Sequence, residues 1–345
     1  MQIACFAYLF LASAFFPPIF AANPPYGKLS VSNAQLVGSS GSAVQLRGMS
    51  FYWSQWDNPS FWTAAVVKSL ACNWNANVVR AAMAVEAAYG GYLSGGSTAT
   101  TELNKLYTIV DAAIANGIYV LIDWHETGKT SYQSQAVTFF SMVSAKYKDV
   151  PNVLYEIWNE PEVEYTDWVG VVRPYHQAVI KAIRANDANA IIICGTPKDS
   201  SGIDSTVIAN PITGYKNIMY TLHWYPNGAS WQATQRQSIL TAKGKGLATF
   251  VTEYGVSASG TSSVDSGESN LWWSFMDTNK ISYINWHVGS ISETWSVFQT
   301  GTQPSQIASD TALSAAGKLV KAKLKSQSNG VSCSGRRRRA AFLWN

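Results

Sequence analysis

Two glutamates carry the most telling chemistry in this chain. Glu160 sits in Tyr155-Glu156-Ile157-Trp158-Asn159-Glu160-Pro161, and Glu253 in Thr252-Glu253-Tyr254-Gly255. Breaking a glycosidic bond asks for such a pair. Its oxocarbenium-like transition state needs one protonated carboxyl at the leaving oxygen and one ionised carboxylate at the anomeric carbon. A cation beside one carboxyl keeps it charged, and a less polar setting keeps the other protonated. Arg80 is the cation placed to serve Glu253. Taken singly, either Glu is by type a solvated loop residue. The pair matters only if the chain folds both to one place.

The elements that would bring them together alternate along the chain from about residue 44 to 324. Short β-branched runs read as strands at Val44–Phe51, Ala76–Met83, Ile118–Trp124, Val153–Trp158, Ala190–Cys194, Ile218–Trp224, Ala248–Thr252 and Ile281–Trp286. Helical patterns lie between them at Ser60–Leu70, Thr101–Asn116, Ser134–Lys148, Val171–Asn186, Gln232–Lys243 and Ser266–Asn279, and Asp310–Leu324 follows the last strand. Leu103, Leu106, Tyr107, Val110, Ala113 and Ile114 mark one helix face, which Asn116-Gly117 ends. Gly195–Pro211, after the fifth strand, reads mostly as loop. Near-continuous apolar strands such as Tyr119-Val120-Leu121-Ile122 suit a parallel sheet buried on both faces. The expected fold is therefore α/β, a single (β/α)8 TIM barrel. A doubly wound open sheet is the alternative, but Gly90-Gly91 and Gly95-Gly96 lack the Lys-Ser/Thr of a phosphate cradle.

On that reading the polar residues collect where barrel enzymes build their sites, at the C-terminal strand ends. Arg80 lies in strand two and His125 follows strand three. Asn159 and Glu160 follow strand four, His223 and Tyr225 close strand six, Glu253 ends strand seven and Trp286 ends strand eight. In this order the motifs resemble glycoside hydrolase family five, whose hallmark is Asn-Glu-Pro at the end of strand four. The resemblance covers roughly residues 27 to 320 and is nearest to bacterial endoglucanases and cellulases of plant-parasitic nematodes. It implies that Glu160 is the acid/base and Glu253 the nucleophile. It further implies that Asn159 binds the hydroxyl next to the anomeric carbon, and that Arg80 and Tyr225 orient Glu253 and keep it ionised. His125 and His223 would bond the substrate or the acid/base, and Trp286 would stack under the sugar. Where such enzymes often have His after Gly48-Met49-Ser50, this chain has Tyr52, a phenol that donates a hydrogen bond and offers an apolar face. Trp53 and Trp56, after strand one, are expected to be sugar platforms. His176 and His287 match no such role, and Trp62, Trp74, Trp272 and Trp273 read as packing.

Composition agrees with a folded body acting on an uncharged partner. Of 345 residues 47% are hydrophobic and 13% charged, and Arg336, Arg337, Arg338 and Arg339 alone account for the formal net charge of +4. A neutral body gives no electrostatic reason to bind nucleic acid or an anionic membrane. The apolar run Ile3–Phe20 reads as a signal peptide over residues 1–22, cut after Ala14 or Ala22, with an N-terminal membrane anchor as the alternative. Secretion would leave a 23–325 barrel, a disordered tail or linker remnant at 326–345, and three cysteines, an odd count. Cys72 and Cys194 read as buried thiols. The mechanism requires no metal and no organic cofactor.

The leading expectation is thus a secreted, monomeric, endo-acting retaining hydrolase of β-1,4-glucan. A β-1,4-mannanase or xylanase on the same barrel is the alternative, because loops decide polymer choice. A catalytically silent carbohydrate-binding protein is the reading from another class.

Overall fold

Strand positions two residues apart point the same way, and that period separates the barrel's interior from its helix-facing side. The computed structural model describes residues 22–58, 60–128, 132–162, 167–258, 263–331 and 333. Its eight barrel strands are β3 (Arg47–Phe51), β4 (Val78–Ala84), β5 (Tyr119–His125), β6 (Val153–Glu156), β7 (Ile191–Cys194), β8 (Ile218–Trp224), β9 (Ala248–Tyr254) and β10 (Ser282–Val288). They pair in parallel and in chain order, and β10 closes on β3. The expected (β/α)8 barrel is what forms.

The interior is layered. Leu46, Val78, Leu121, Leu154, Ile191, Met219, Ala248, Phe250 and Ile284 make an apolar floor. One period further along the strands stand Ser50, Arg80, Asp123, Glu156, Thr221 and Thr252, polar and fully buried. The opposite strand face, with Val79, Ala81, Val120, Ile122, Ile192, Leu222 and Val251, packs under the helices. Burial on both faces explains the near-continuous apolar runs.

The helices are α1 (Ala64–Cys72), α2 (Gly96–Ala115), α3 (Gln133–Lys146), α4 (Arg173–Arg184), α5 (Ser205–Ala209), α6 (Ala229–Gly244), α7 (Ser266–Asn279) and α8 (Ala315–Lys325). Capping chemistry sets several starts. The Thr63 side chain accepts from Val66 N, so α1 begins four residues later than its apolar pattern suggested. Ser314 caps α8 in the same way, leaving residues 310–312 as a 3-10 turn. The stretch after β7 is mostly loop with the five-residue α5 inside it. Asn116 caps α2, and Gly117 follows with φ 66°. Gly48 must be Gly, because a Cβ there would run into the Val78 carbonyl of the neighbouring strand.

Three features depart from the sequence reading. An antiparallel hairpin of β1 (Ser30–Ser32) and β2 (Gln35–Val37) precedes the barrel, and Leu36 within it and Leu29 just before it plug the floor. Cys72 is not a thiol: it is bonded to Cys333 across 261 residues, whereas Cys194 is a buried free cysteine. The segment after α8 is not loose up to that bond. Asn329 is buried and its amide donates to the Ala71 and Ala76 carbonyls at 2.9 and 3.2 Å, while Arg47 holds the Ser328 carbonyl at 2.9 Å. The Ala71 carbonyl in the last turn of α1 and the Ala76 carbonyl just before β4 give the tail its reason to order. Residues 1–21, which hold most of the leader reading, and Arg336–Arg339 lie outside the described residues. Among the described residues no helix is long and apolar enough to cross a membrane.

Candidate active site

Arg80 organises the mouth of the barrel. From the interior face of β4 its guanidinium spreads five donors over the neighbouring strands. Nε donates to Glu156 Oε2 at 2.7 Å, Nη1 to Glu253 Oε2 at 2.8 Å, and Nη2 to Asn159 Oδ1 at 2.6 Å with Asp123 Oδ2 2.9 Å away. A buried, rigid fork of this kind fixes carboxylates in angle as well as distance.

Glu253 reaches this fork through an irregularity in β9. Thr221 pairs with Phe250, but two residues on His223 pairs with Glu253, so β9 carries one extra residue against β8. The bulge lets consecutive Thr252 and Glu253 both serve the site, which a regular strand forbids. Tyr225 donates its hydroxyl proton to Glu253 Oε1 at 2.6 Å. Gly255 makes room for that phenol, since a Cβ there would strike the Tyr225 ring. Burial pushes the Glu253 carboxyl up, but His223, Arg80 and the Tyr225 hydrogen bond outweigh it and hold the group below the ordinary carboxylate range.

Glu160 arrives by a different route. The chain runs on past β6, with Ile157 N bonded to the Ile193 carbonyl and Asn159 N to that of Trp124. Ser200 closes the turn by donating to the Asn159 carbonyl at 2.7 Å, in a loop where Lys198, Asp199 and Ser200 all have positive φ. His223 Nδ1 lies 2.9 Å from Glu160 Oε1. Desolvation raises the Glu160 pKa; the hydrogen bond from His223 opposes it and the negative charge of Glu253 adds to it, leaving a net rise. The two carboxyls are thus pushed apart in acidity.

His223 is the hinge between them. Its Nε2 lies 3.0 Å from Thr252 Oγ1, whose hydroxyl donates to Glu156 Oε1 at 2.5 Å. Burial alone would discharge the imidazole; Glu253, Glu156 and Glu160 more than offset it and lift the pKa to about 10. Glu156 is held down at about 2 by Arg80, against its own burial.

Most residues marked in the sequence converge here. His125 contacts Asp123 Oδ2 at 2.7 Å and stacks on Trp286 at 5.2 Å between ring centroids, so its imidazole is held by Asp123 and not by Glu160. Burial and Arg80 keep its pKa well below the ordinary imidazole value. Tyr52 packs against both Trp286 and His287, and burial lifts its pKa to about 12. Trp53 stands edge-on to His125 at 4.1 Å, and Trp56, 45% exposed, follows at 5.2 Å. Trp224, at the end of β8, belongs to the core, stacked between Tyr254 and Trp272. His176 is structural, bonded to the Gly195 carbonyl. Asp123, Glu156, Thr252 and Ser200 were missed. For the first three the signal was present: each lies two residues beyond an interior apolar residue, at Leu121, Leu154 and Phe250.

Glu160, His223 and Glu253 also form the kind of trio that can hold a metal, with one donor atom from each within 4.8 Å of the others. Those atoms are already engaged with one another, with Arg80 and with Tyr225, and the guanidinium would repel a cation. The chemistry fits a proton and an electron pair, not an ion. A 670 Å³ groove between α5 and α6, lined by Ile203, Ile208 and Thr234, supplies none of these groups.

Fold and site together define the class: a (β/α)8 barrel with paired carboxyls at the ends of two strands. The sequence pattern of the cellulase family (glycosyl hydrolase family 5) matches residues 37–292, and the chain belongs to that family. Among curated relatives it is 38% identical over 294 residues to endoglucanase Z of Dickeya dadantii, covering 83% of this chain and 66% of that protein. It is 39% identical over 299 residues to an endoglucanase of Clostridium saccharobutylicum, covering 86% and 64%. The chain therefore spans less than two thirds of the length of these relatives. A catalytic-domain structure of Thermobifida fusca endoglucanase Cel5A in complex with cellotetraose superposes with a TM-score of 0.76 at 30% identity, covering 88% of this chain and all of that one.

Proposed function

We propose that the protein is an endo-acting retaining hydrolase of β-1,4-glucosidic bonds in cellulose and related glucans, with Glu253 as nucleophile and Glu160 as general acid/base. The observation that carries this is the approach of the two carboxyls, with oxygens within 4.8 Å of each other. Retaining enzymes hold the pair about 5–5.5 Å apart, whereas inverting ones leave room for water at about 6.5–9.5 Å.

The steps balance within this chain. Glu253 Oε attacks the anomeric carbon and the bond to the leaving oxygen breaks as Glu160 hands over its proton. Water then enters; its oxygen attacks the anomeric carbon as Glu160 removes one of its protons, and the glycosyl–Glu253 ester bond breaks to return the carboxylate. Arg80 and Tyr225 keep Glu253 ionised and aimed. His223 trims the acidity of Glu160 as it cycles. Asn159, with its Oδ1 held by Arg80, has its amide nitrogen for the hydroxyl next to the anomeric carbon. Trp286 offers its face to the sugar at the cleavage point, with Tyr52 and His125 fixing the ring, and Trp53 and Trp56 continue the platform outward.

Glucan is the polymer of choice because relatives named endoglucanase match most of this chain and one homologous barrel holds cellotetraose. The Cys72–Cys333 bond favours an oxidising compartment and so supports a leader at residues 1–22 and secretion. The test is product stereochemistry and polymer choice together. Proton NMR should show the β-anomer of the new reducing end first, and carboxymethylcellulose should lose viscosity faster than mannan or xylan. The α-anomer first would remove Glu253 as nucleophile. Faster cleavage of mannan or xylan would move the substrate, and cellulose binding without new reducing ends would leave a silent binding protein.

A further inference from the structure

The loop after β3 presents Tyr52, Trp53 and Trp56 to the cleft, yet its middle is held from below. Ser54 is buried under the loop, and its hydroxyl accepts from Ala84 N at 2.8 Å and donates to the Glu102 carboxylate. Lys105, one turn further along α2, donates to the Ser54 carbonyl at 2.6 Å and to Glu102 Oε1 at 2.8 Å. Both polar ends of Ser54 are thereby committed to one ion pair on α2. Glu102 is itself buried, although it lies outside the catalytic cluster. Sinking a carboxylate is costly unless it is paired and hydrogen-bonded, and here Lys105 and the Ser54 hydroxyl supply both.

The geometry enforced is that of an aromatic file. Trp53 stands on His125; Trp56 follows Trp53, closing a turn with its N–H on the Trp53 carbonyl at 3.1 Å; Tyr89 meets Trp56 at 5.7 Å. Tyr89 is 57% exposed, so the file runs from the buried centre out to solvent. Ser54 lies between the two tryptophans in sequence and faces the other way, so fixing it fixes both rings.

We infer that Glu102 and Lys105 are positioning residues for the distal end of the cleft: through Ser54 they hold Trp53 and Trp56 where a long sugar chain meets them, and so set affinity for long chains without touching the bond-breaking step. This rests on the proposed hydrolase reading. Glu102→Gln or Ser54→Ala frees the loop to relax, which spreads the two rings over several orientations and charges their ordering to each binding event. A chain long enough to reach Trp56 feels that loss, and a short one at the catalytic centre does not.

The test reads affinity against chain length. On a Glu253→Gln background, calorimetry gives Kd for cello-, manno- and xylohexaose and for the matching trioses, with and without Glu102→Gln, Ser54→Ala and Trp56→Ala. Each anchor variant should weaken the bound hexaose about tenfold, the scale of one lost charge-assisted hydrogen bond, and leave the triose within about twofold. Either change should add little once Trp56→Ala is present. In the otherwise native enzyme, KM for long glucans should rise at constant kcat. Ser54→Ala removes one hydroxyl and keeps the test readable should Glu102→Gln fail to fold. Unchanged hexaose affinity, or an equal loss for hexaose and triose, overturns the anchor. Preference for manno- or xylohexaose with the anchor effect intact overturns only the glucan reading, and binding of none of the three overturns both.

Discussion

Burial acts alike on Glu160 and Glu253, and their neighbours pull them apart. Arg80 and Tyr225 meet Glu253, whereas Glu160 faces His223 and the negative charge of its counterpart. The pH dependence of kcat/KM should therefore be a bell. Activity rises as Glu253 ionises, below the ordinary Glu range, and falls as Glu160 loses its proton, above that range. Arg80→Lys keeps a charge but loses the fork. It should lower kcat by about 10²-fold and move the acid limb to higher pH, because the unforked ammonium no longer gives Glu253 the charge-assisted hydrogen bond that depresses its carboxyl. An acid limb that stays put would show that Arg80 does not tune Glu253. Glu253→Gln should remove nearly all turnover on every substrate. Glu160→Ala should lose far less on aryl glycosides than on glucan, because a good leaving group needs no proton.

At the scale of elements, the site depends on strand period and on one break in it. The period lifts Arg80, Asp123, Glu156 and Thr252 onto the apolar floor as a single polar layer. The extra residue in β9 then turns Glu253 inward next to Thr252. Gly255 completes that strand end by leaving space for Tyr225. Gly255→Ala should displace the phenol and reduce kcat by about tenfold, the loss expected for one hydrogen bond to a charged group. Tyr225→Phe should reduce it similarly, and the double variant should be hardly worse than either, since both remove the same contact. Additive losses would mean that Gly255 acts elsewhere.

Across the whole molecule, the end opposite the site is the one that is stapled. The hairpin plugs the floor, and the tail beyond α8 is drawn back to the end of α1 by Asn329 and the Cys72–Cys333 bond. Closing so long a loop removes much unfolded-chain entropy. Cys72→Ser should therefore lower stability by about 3–5 kcal/mol. Because α1 ends at the floor, away from the carboxyls, kcat at low temperature should be nearly unchanged. A thermal melt beside an activity assay checks both, and loss of kcat in a fully folded variant would contradict this separation.

The alternation of apolar strands and helices determined the barrel, because burial on both faces leaves a pattern that any single chain displays. The same alternation located Glu160, Glu253, Arg80, His223 and Tyr225 at one rim, since strand ends in a parallel barrel have only one place to point. What spacing along a chain cannot record is contact between distant segments. The fork of Arg80, the pairing of Cys72 with Cys333, the ordering of the tail and the placing of Trp224 in the core each depend on residues tens to hundreds of positions apart. Their partners were chosen by the closed packing of the barrel, which only the tertiary structure contains.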